Sequence, residues 1–199
     1  EETVSIASRY EQPISQAPSN VYVITDEDIR HSGATDIPTI LRRVPGLEVM
    51  QTTGADFNVS VRGDNQFRAN KLLVMVDGRS IYLDAQGNVF WKNLPVTLPE
   101  IKRIEVLKGP ASAIYGFNAF DGVINIITRH AKDTQGTYAE VKGGSLEKGL
   151  ALRHGSALDN GGHVRAYAKI DQHDPLETAT GEEAYDAWKQ KRAGFRADL

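Results

Sequence analysis

Beyond Arg129 the sequence settles into a period of two, and that period restricts the fold more than any other feature of the chain. In His163 to Asp171 the polar set His163, Arg165, Tyr167, Lys169 and Asp171 alternates with Val164, Ala166, Ala168 and Ile170. Successive side chains of a strand point to opposite faces, so this segment has one wet face and one dry face. Thr137 to Gly143, Lys148 to Gly155 and Gln190 to Leu199 repeat the pattern more weakly, the last setting Ala193, Phe195, Ala197 and Leu199 against Arg192, Arg196 and Asp198. Segments of about 9 to 11 residues with this alternation fit the strands of a transmembrane β-barrel. They fit equally a soluble antiparallel sheet with one solvated face. Outer-membrane barrels begin at about eight strands, so the four read here cannot close a barrel by themselves. The barrel reading predicts an excised N-terminal piece whose unpaired strand edges disorder or pair with another copy in a strand-exchanged homodimer.

The first 130 residues follow a different grammar. Residues 1 to about 20 are short, polar and punctuated by Pro, with one β-like patch from Thr3 to Ala7 and no periodic apolar face to dock, which predicts an extended, mobile arm over 1–19. Val21 to Thr25 reads as a strand, and Thr25 with Asp28 imitates a capping box that opens a short helix ended by Gly33. Thr35 is placed to cap a second helix whose apolar residues are Ile37, Ile40, Leu41 and Val44, stopped by Pro45-Gly46. A sheet is then expected from Leu47 to Gln51, Asn58 to Arg62, Lys71 to Val76 and Arg103 to Leu107, closed by Val123 to Thr128. Thr97 with Glu100 gives another capping-box pattern, and Pro110 begins a brief helix through Tyr115. The expected fold is a small α+β domain over 20–130, a mixed sheet with short helices, followed over 131–199 by antiparallel strands of an incomplete barrel.

Composition removes several classes of function. Lys and Arg number 23 against 26 Asp and Glu, for a net charge of −3, so no electrostatic case exists for a nucleic-acid partner. The longest clean apolar run, Leu72 to Val76, is strand-sized and far short of the roughly 18 residues of a helical membrane span. There is no Cys, which removes thiol catalysis and Cys-based metal sites. The start at Glu1-Glu2 has neither a basic nor an apolar leader, which predicts a cytosolic chain or the processed form of an exported one. The five His residues lack metal-site spacing, and Gly109 to Gly116 lacks the Gly-Lys-Ser/Thr ending of a phosphate loop. No metal, cofactor or catalytic residue is expected. An esterase using Ser112 ranks far below a non-enzymatic reading.

Four fragments then stand in a specific order: Val61-Arg62-Gly63, Leu72 to Gly78, Ile104 to Gly116 (Ile-Glu-Val-Leu-Lys-Gly-Pro-Ala-Ser-Ala-Ile-Tyr-Gly), and Gly122 to Thr128. In order and spacing they resemble the plug domain of TonB-dependent outer-membrane receptors, and the alternating tail resembles the first barrel strands of that family. The resemblance implies a plug inside a barrel of the Gram-negative outer membrane. It further implies uptake of a scarce, large ligand such as a ferric siderophore, energised through TonB. The partners implied are the periplasmic domain of TonB, the transported ligand, the rest of the chain's own barrel and the outer membrane.

The same resemblance assigns residues. Glu2, Thr3, Val4, Ser5, Ile6 and Ala7 look like the Ton box, a periplasmic segment that TonB captures, and an extended β-branched stretch suits addition to a partner's sheet edge. Arg62 and Lys108 match basic plug positions that pair with carboxylates of the barrel wall. Lys108 stands where Arg is usual and cannot make Arg's planar two-point contact, so a looser latch is expected. Ligand contacts are implied for outward loops at Thr52 to Phe57, with Thr52, Asp56 and Phe57, and at Tyr82 to Trp91, with Tyr82, Asp84, Gln86 and Asn88. Phe90 and Trp91 are expected in the plug core. The competing reading is a soluble periplasmic ligand-binding module whose tail is a complete small antiparallel sheet.

Overall fold

The computed structural model describes residues 3–18, 20–54, 56–61, 72–81, 89–116 and 119–199. The chain forms two compact units, Glu1–Met50 with Asp56–Thr128, and Gln51–Ala55 with Arg129–Leu199. In the first unit, β1 (Thr3–Val4) and β2 (Gln12–Pro13) pair antiparallel. Next come β3 (Val21–Thr25), α1 (Asp26–His31), α2 (Ile37–Leu41), β4 (Leu47–Gln51) and β5 (Phe57–Val61). β6 (Leu72–Val76), β7 (Arg79–Ser80), β8 (Ile101–Lys108), α3 (Ser112–Tyr115) and β9 (Gly122–Thr128) complete it.

Five of these strands make one mixed sheet in the order β3-β8-β9-β6-β7, with β6 and β9 parallel and the other pairs antiparallel. Because side chains alternate, Ile104 and Val106 of β8, Ile124 and Ile126 of β9, and Leu72 and Val74 of β6 join one core cluster with Ile29, Ile40 and Leu41 of the helices. Leu73, Met75, Leu107 and Val123 join a second cluster. The sheet is therefore buried on both faces, which is why Leu72 to Val76 reads as a continuous apolar run rather than an alternating one.

Local chemistry explains the helix ends. Thr25 and Asp28 make the expected reciprocal capping box, with Asp28 N–H donating to Thr25 Oγ1 at 3.1 Å and Thr25 N–H to Asp28 Oδ2 at 3.0 Å. The second helix is capped by Asp36, not by Thr35. The Asp36 carboxylate accepts from Thr39 N–H at 2.7 Å, satisfying a donor that the first turn leaves open. Thr97 makes no side-chain cap, since Leu98–Glu100 is a single 3₁₀ turn too short for the reciprocal pair. A further difference concerns β4 and β5. They form their own two-stranded sheet instead of joining the main one.

The N-terminal arm is not free, contrary to the mobile segment expected. Val4 and Ile6 are fully buried, and Ile6 belongs to the second core cluster. Within Thr3–Ala7, Thr3 and Val4 are in a strand, and a turn follows in which Arg9 N–H donates to Ser5 C=O at 2.8 Å. Two aliphatic side chains make no periodic face by themselves. The sheet's apolar second face supplies the partners of Ile6, and no window on the arm alone reveals them.

The second unit is a four-stranded antiparallel sheet in chain order: β10 (Gly136–Gly143), β11 (Glu147–Ala157), β12 (His163–His173) and β13 (Trp188–Asp198). Its exposure is inverted relative to a water-soluble sheet. Val141 is 79% exposed and Phe195 85%, while Arg165 and Asp171 are buried and Lys169 pairs with Asp171 at 3.0 Å. The shielded face is the charged one.

Gly122 begins β9 where a Cβ would lie 2.5 Å from the Leu107 carbonyl oxygen of β8. Gly122→Ala is expected to force the two strands apart at a cost of about 1–3 kcal/mol, read as a lower urea midpoint at unchanged slope. An unchanged midpoint would show that the strands open there freely.

Candidate functional site

The N-terminal segment is held from three sides. Its two strand residues pair with β2, Thr3 opposite Pro13 and Val4 opposite Gln12. Beyond them, the Glu105 carboxylate accepts Ser5 N–H at 3.2 and 3.1 Å and Ile6 N–H at 2.9 Å. Tyr115 Oη then donates to Ile6 C=O at 2.6 Å. Glu105 sits on β8 between Ile104 and Val106, and strand alternation aims it at the face that the segment covers. Its side chain is fully buried and is paired with Arg103 Nε at 2.9 Å, while Arg103 also reaches Glu11 at 3.4 Å. A buried carboxylate needs such partners, and here two backbone amides and one guanidinium supply them. Arg9 lies over the Tyr115 ring, 5.0 Å from its centroid, at φ 62°. Burial pushes the Tyr115 phenol above its ordinary range, against the opposing charge of Arg9, so the hydroxyl stays a donor at neutral pH.

Thr3, Val4, Ser5 and Ile6 are therefore gathered on one surface, with Ala7 in the turn that follows, while Glu2 lies outside the described residues. Glu105, Arg103 and Tyr115 were not singled out from the sequence. A signal existed in Ile104-Glu105-Val106, where a carboxylate interrupts an apolar strand.

Lys108 ends β8 and is occupied within its own unit. Its Nζ donates to Pro45 C=O at 2.8 Å, and its backbone pairs with Asn20. It thereby braces the Pro45-Gly46 turn, which lies beyond the end of α2 at Leu41 and so is not the helix stop expected from the sequence. Arg62 lies outside the described residues, as do Tyr82, Asp84, Gln86 and Asn88. Phe57, expected in a ligand loop, packs against the larger core cluster, and Asp56 precedes it. Trp91 is buried in that core as expected, and Phe90 is half-buried.

Thr52 is exposed just past the end of β4, in a segment that belongs to the second unit. Asp186 of the long β12–β13 connection and Trp188, the first residue of β13, hold this segment. The Asp186 carboxylate accepts Gly54 N–H and Leu176 N–H, both at 2.8 Å, and Trp188 Nε1 donates to Gly54 C=O at 3.1 Å. Trp188 in turn stacks on His173, with ring centroids 5.9 Å apart. A Cβ at Gly54 would meet Asp186 Oδ2 at 2.9 Å, so a larger residue there would displace this carboxylate. The amides of Leu176 and Gly54 hold the Asp186 carboxyl below its ordinary 3.8. A depressed carboxyl pKa contributes its stabilisation above the unfolded value and loses it as pH falls through the lowered one. The Gly54 brace is thus expected to persist through neutral and mildly acidic pH and to open only below 3.8. Amide exchange at Gly54 followed against pH checks this, and opening between pH 5 and 7 would contradict it.

Comparison with known proteins places these features in a family. The model of the TonB-dependent receptor plug domain matches residues 13–123, more than half of the 199. The vitamin B12 transporter BtuB of Vibrio vulnificus (strain CMCP6) is 36% identical over 165 residues, 81% of this chain and 26% of that protein. Vitamin B12 transporters BtuB of Vibrio cholerae are similar at 35% over 168 residues, 82% of this chain and 27% of theirs. Among solved structures, the ferric enterobactin receptor PfeA of Pseudomonas aeruginosa aligns at a TM-score of 0.58 and 26% identity, covering 81% of this chain and 26% of that one. The ferripyoverdine receptor of the same organism shares the fold at a TM-score of 0.71 and 22% identity, covering 88% and 23%. The chain spans about a quarter of the length of the curated relatives it matches. With its plug sheet, and the strands that follow, matched in both sequence and fold, the chain belongs to the TonB-dependent receptors of the Gram-negative outer membrane.

Proposed function

We propose that this chain is the gate of an uptake receptor, holding a passage shut until ligand and TonB act on it in turn. The observation that carries the reading is the N-terminal segment: two buried aliphatic anchors and a short strand, docked through a few hydrogen bonds, in a family defined by dependence on TonB. Released, Thr3 to Ile6 presents an extended edge with Val4 and Ile6 as alternate side chains, which is the form that strand addition recognises. Backbone hydrogen bonds would supply affinity, and a pull on the segment would be passed to β8 through Glu105 and to α3 through Tyr115.

The turns of the second unit support an orientation. The connections after β10 and β12 lie at one end of the sheet, and the one after β12, residues 174–187, is the longest. Barrels of this kind place short turns in the periplasm and long loops outside. The stretch at Gly54, tied to that connection, is then the outward surface, and Thr52 is a candidate ligand contact together with Tyr82, Asp84, Gln86 and Asn88. Arg62 and Lys108 remain the proposed plug contacts to the barrel wall.

A large iron chelate is the ligand class first in view. The identity to vitamin B12 transporters favours a second reading, a cobalamin. Both are bulky, and both suit a site of Gly hinges, aromatics and amide groups. Fluorescence quenching of the full-length protein by ferric enterobactin and by cyanocobalamin separates the two, and quenching by neither would remove both.

TonB capture is tested by titrating a peptide spanning residues 1–10 with the periplasmic domain of TonB. A micromolar Kd is expected, weakened at least about tenfold when Val4 and Ile6 are both replaced by Asp, since each anchor loses about 1.5–3 kcal/mol of burial. No binding at high micromolar concentration would refute the assignment.

A further inference from the structure

The open face of the second sheet is apolar through its middle and charged at one end only. None of its positions in β10 to β13 is Asp or Glu, since Glu140, Glu147, Asp171 and Asp198 all fall on the shielded face. Its cations are Lys148, Lys189 and Lys191, each exposed. The register gathers them: Gln172 of β12 stands opposite both Lys148 of β11 and Lys189 of β13, and Ile170 stands opposite Lys191. At the other end the open face carries Thr137, His154, Ser156 and Ala197, with neither Lys nor Arg. Lysines that merely lift their charge out of hydrocarbon would suit both ends of a lipid-facing sheet alike. Their confinement to one end points to an anion there.

We infer that Lys148, Lys189 and Lys191, with Gln172 among them, form a docking site for the phosphorylated headgroup of a glycolipid in the outward leaflet, held against the outside of the barrel. This end of the sheet carries the long 174–187 connection, so the inference rests on the outward orientation proposed for that connection.

Depth and spacing define the occupant. Leu199 and Lys189 stand ten residues apart on one strand line. At about 3.3 Å per residue and a tilt of about 40°, this is roughly 25 Å along the membrane normal, the height of a barrel's apolar band. Lys189, and Lys148 in the same row, therefore stand at the rim of the band, where lipid phosphates lie. Lys191 starts one pleat deeper beside Ile170, and its flexible stem reaches the same level. Neighbouring strands are about 4.8 Å apart, so Lys148 and Lys189, with β12 between them, start roughly 10 Å apart. Lys189 and Lys191 can converge on one phosphate, while Lys148 is placed for a second. Gln172 lies between, its amide nitrogen donating to Asp174 Oδ1 at 3.2 Å and its amide oxygen suited to a sugar hydroxyl. Lys148 Nζ also stands 3.8 Å from Asp174 Oδ2, a long surface contact of little energy, and the row keeps a net positive charge. A single small phosphate would leave part of this row unused, whereas a headgroup with separated phosphates on a sugar frame engages all of it.

The full-length protein in detergent micelles is titrated with bis-phosphorylated lipid A and with the same lipid stripped of its phosphates, the Kd being read by native mass spectrometry. Each Lys near an anionic lipid surface contributes about a fivefold factor in affinity. Lys191→Gln is thus expected to weaken binding of the phosphorylated lipid about fivefold, and the triple replacement of Lys148, Lys189 and Lys191 by Gln about a hundredfold. Added salt should narrow the difference, and binding of the stripped lipid should not change. Resistance of the unheated barrel to SDS reports that the variants fold. No loss in the triple variant, or an equal loss for both lipids, overturns the docking site. A Glu182→Cys variant of the full-length protein, otherwise free of Cys, tests the orientation by itself through labelling of intact cells with a membrane-impermeant maleimide. Labelling without any lysine effect leaves the orientation standing and overturns the docking site. Failure to label overturns the orientation and the outward-leaflet site together.

Discussion

A sheet that shields its charges and bares its hydrocarbon is stable only where hydrocarbon surrounds it. In β10 to β13, Leu150, Leu152, Ile170 and Phe195 lie on the open face, while Arg165, Lys169 and Asp171 lie on the shielded one. Water would penalise the first set and leave the second set needlessly paired. A bilayer outside and a polar lumen inside satisfy both. The sheet also has unpaired edges at β10 and β13, which a barrel removes by closure. Family membership and this inverted exposure together displace the reading of a soluble module with a complete small sheet.

The plug obeys the opposite rule. Its five-stranded sheet is apolar on both faces and needs two covers. Helices α1 and α2 help cover one, and the N-terminal segment contributes to the other. A segment used this way is anchored by Val4 and Ile6 yet held by few polar contacts, so it can leave without dismantling the larger cluster. Burying Glu105 beneath it makes the cover specific: an apolar face alone would accept many short β-branched stretches, whereas the carboxylate demands two successive amides at the right depth.

Much of this was legible in the sequence where neighbours in sequence are neighbours in space. The Thr25 and Asp28 capping box, the strands at Val21 and Leu72, and the alternation of β12 depend on contacts within a few residues. The domain change near Arg129 was visible for the same reason, as the period itself changes. What escaped involves long separations. Glu105 meets Ser5 across 100 positions, and Asp186 meets Gly54 across 132. Neither spacing leaves a local pattern, so the arm reads as undocked and nothing near Asp186 or Trp188 in the sequence marks them as partners of Gly54. Asp36 replaced Thr35 as a cap because both are competent residues one position apart, and only the observed turn decides between them. The order of the four plug fragments identified the family because a whole domain fixes them, not because any one fragment is distinctive.

The most direct test of the architecture is a spin-label scan of β12 in the full-length protein reconstituted into lipid bilayers, one Cys at a time from position 164 to 171. These 199 residues contain no Cys, and any Cys elsewhere in the full-length protein is replaced by Ser before labelling. The account predicts a strict alternation, with labels at 166, 168 and 170 accessible to oxygen dissolved in the lipid and those at 165, 167, 169 and 171 shielded from it. Uniform access to a water-soluble relaxation agent, with no period of two, would contradict it.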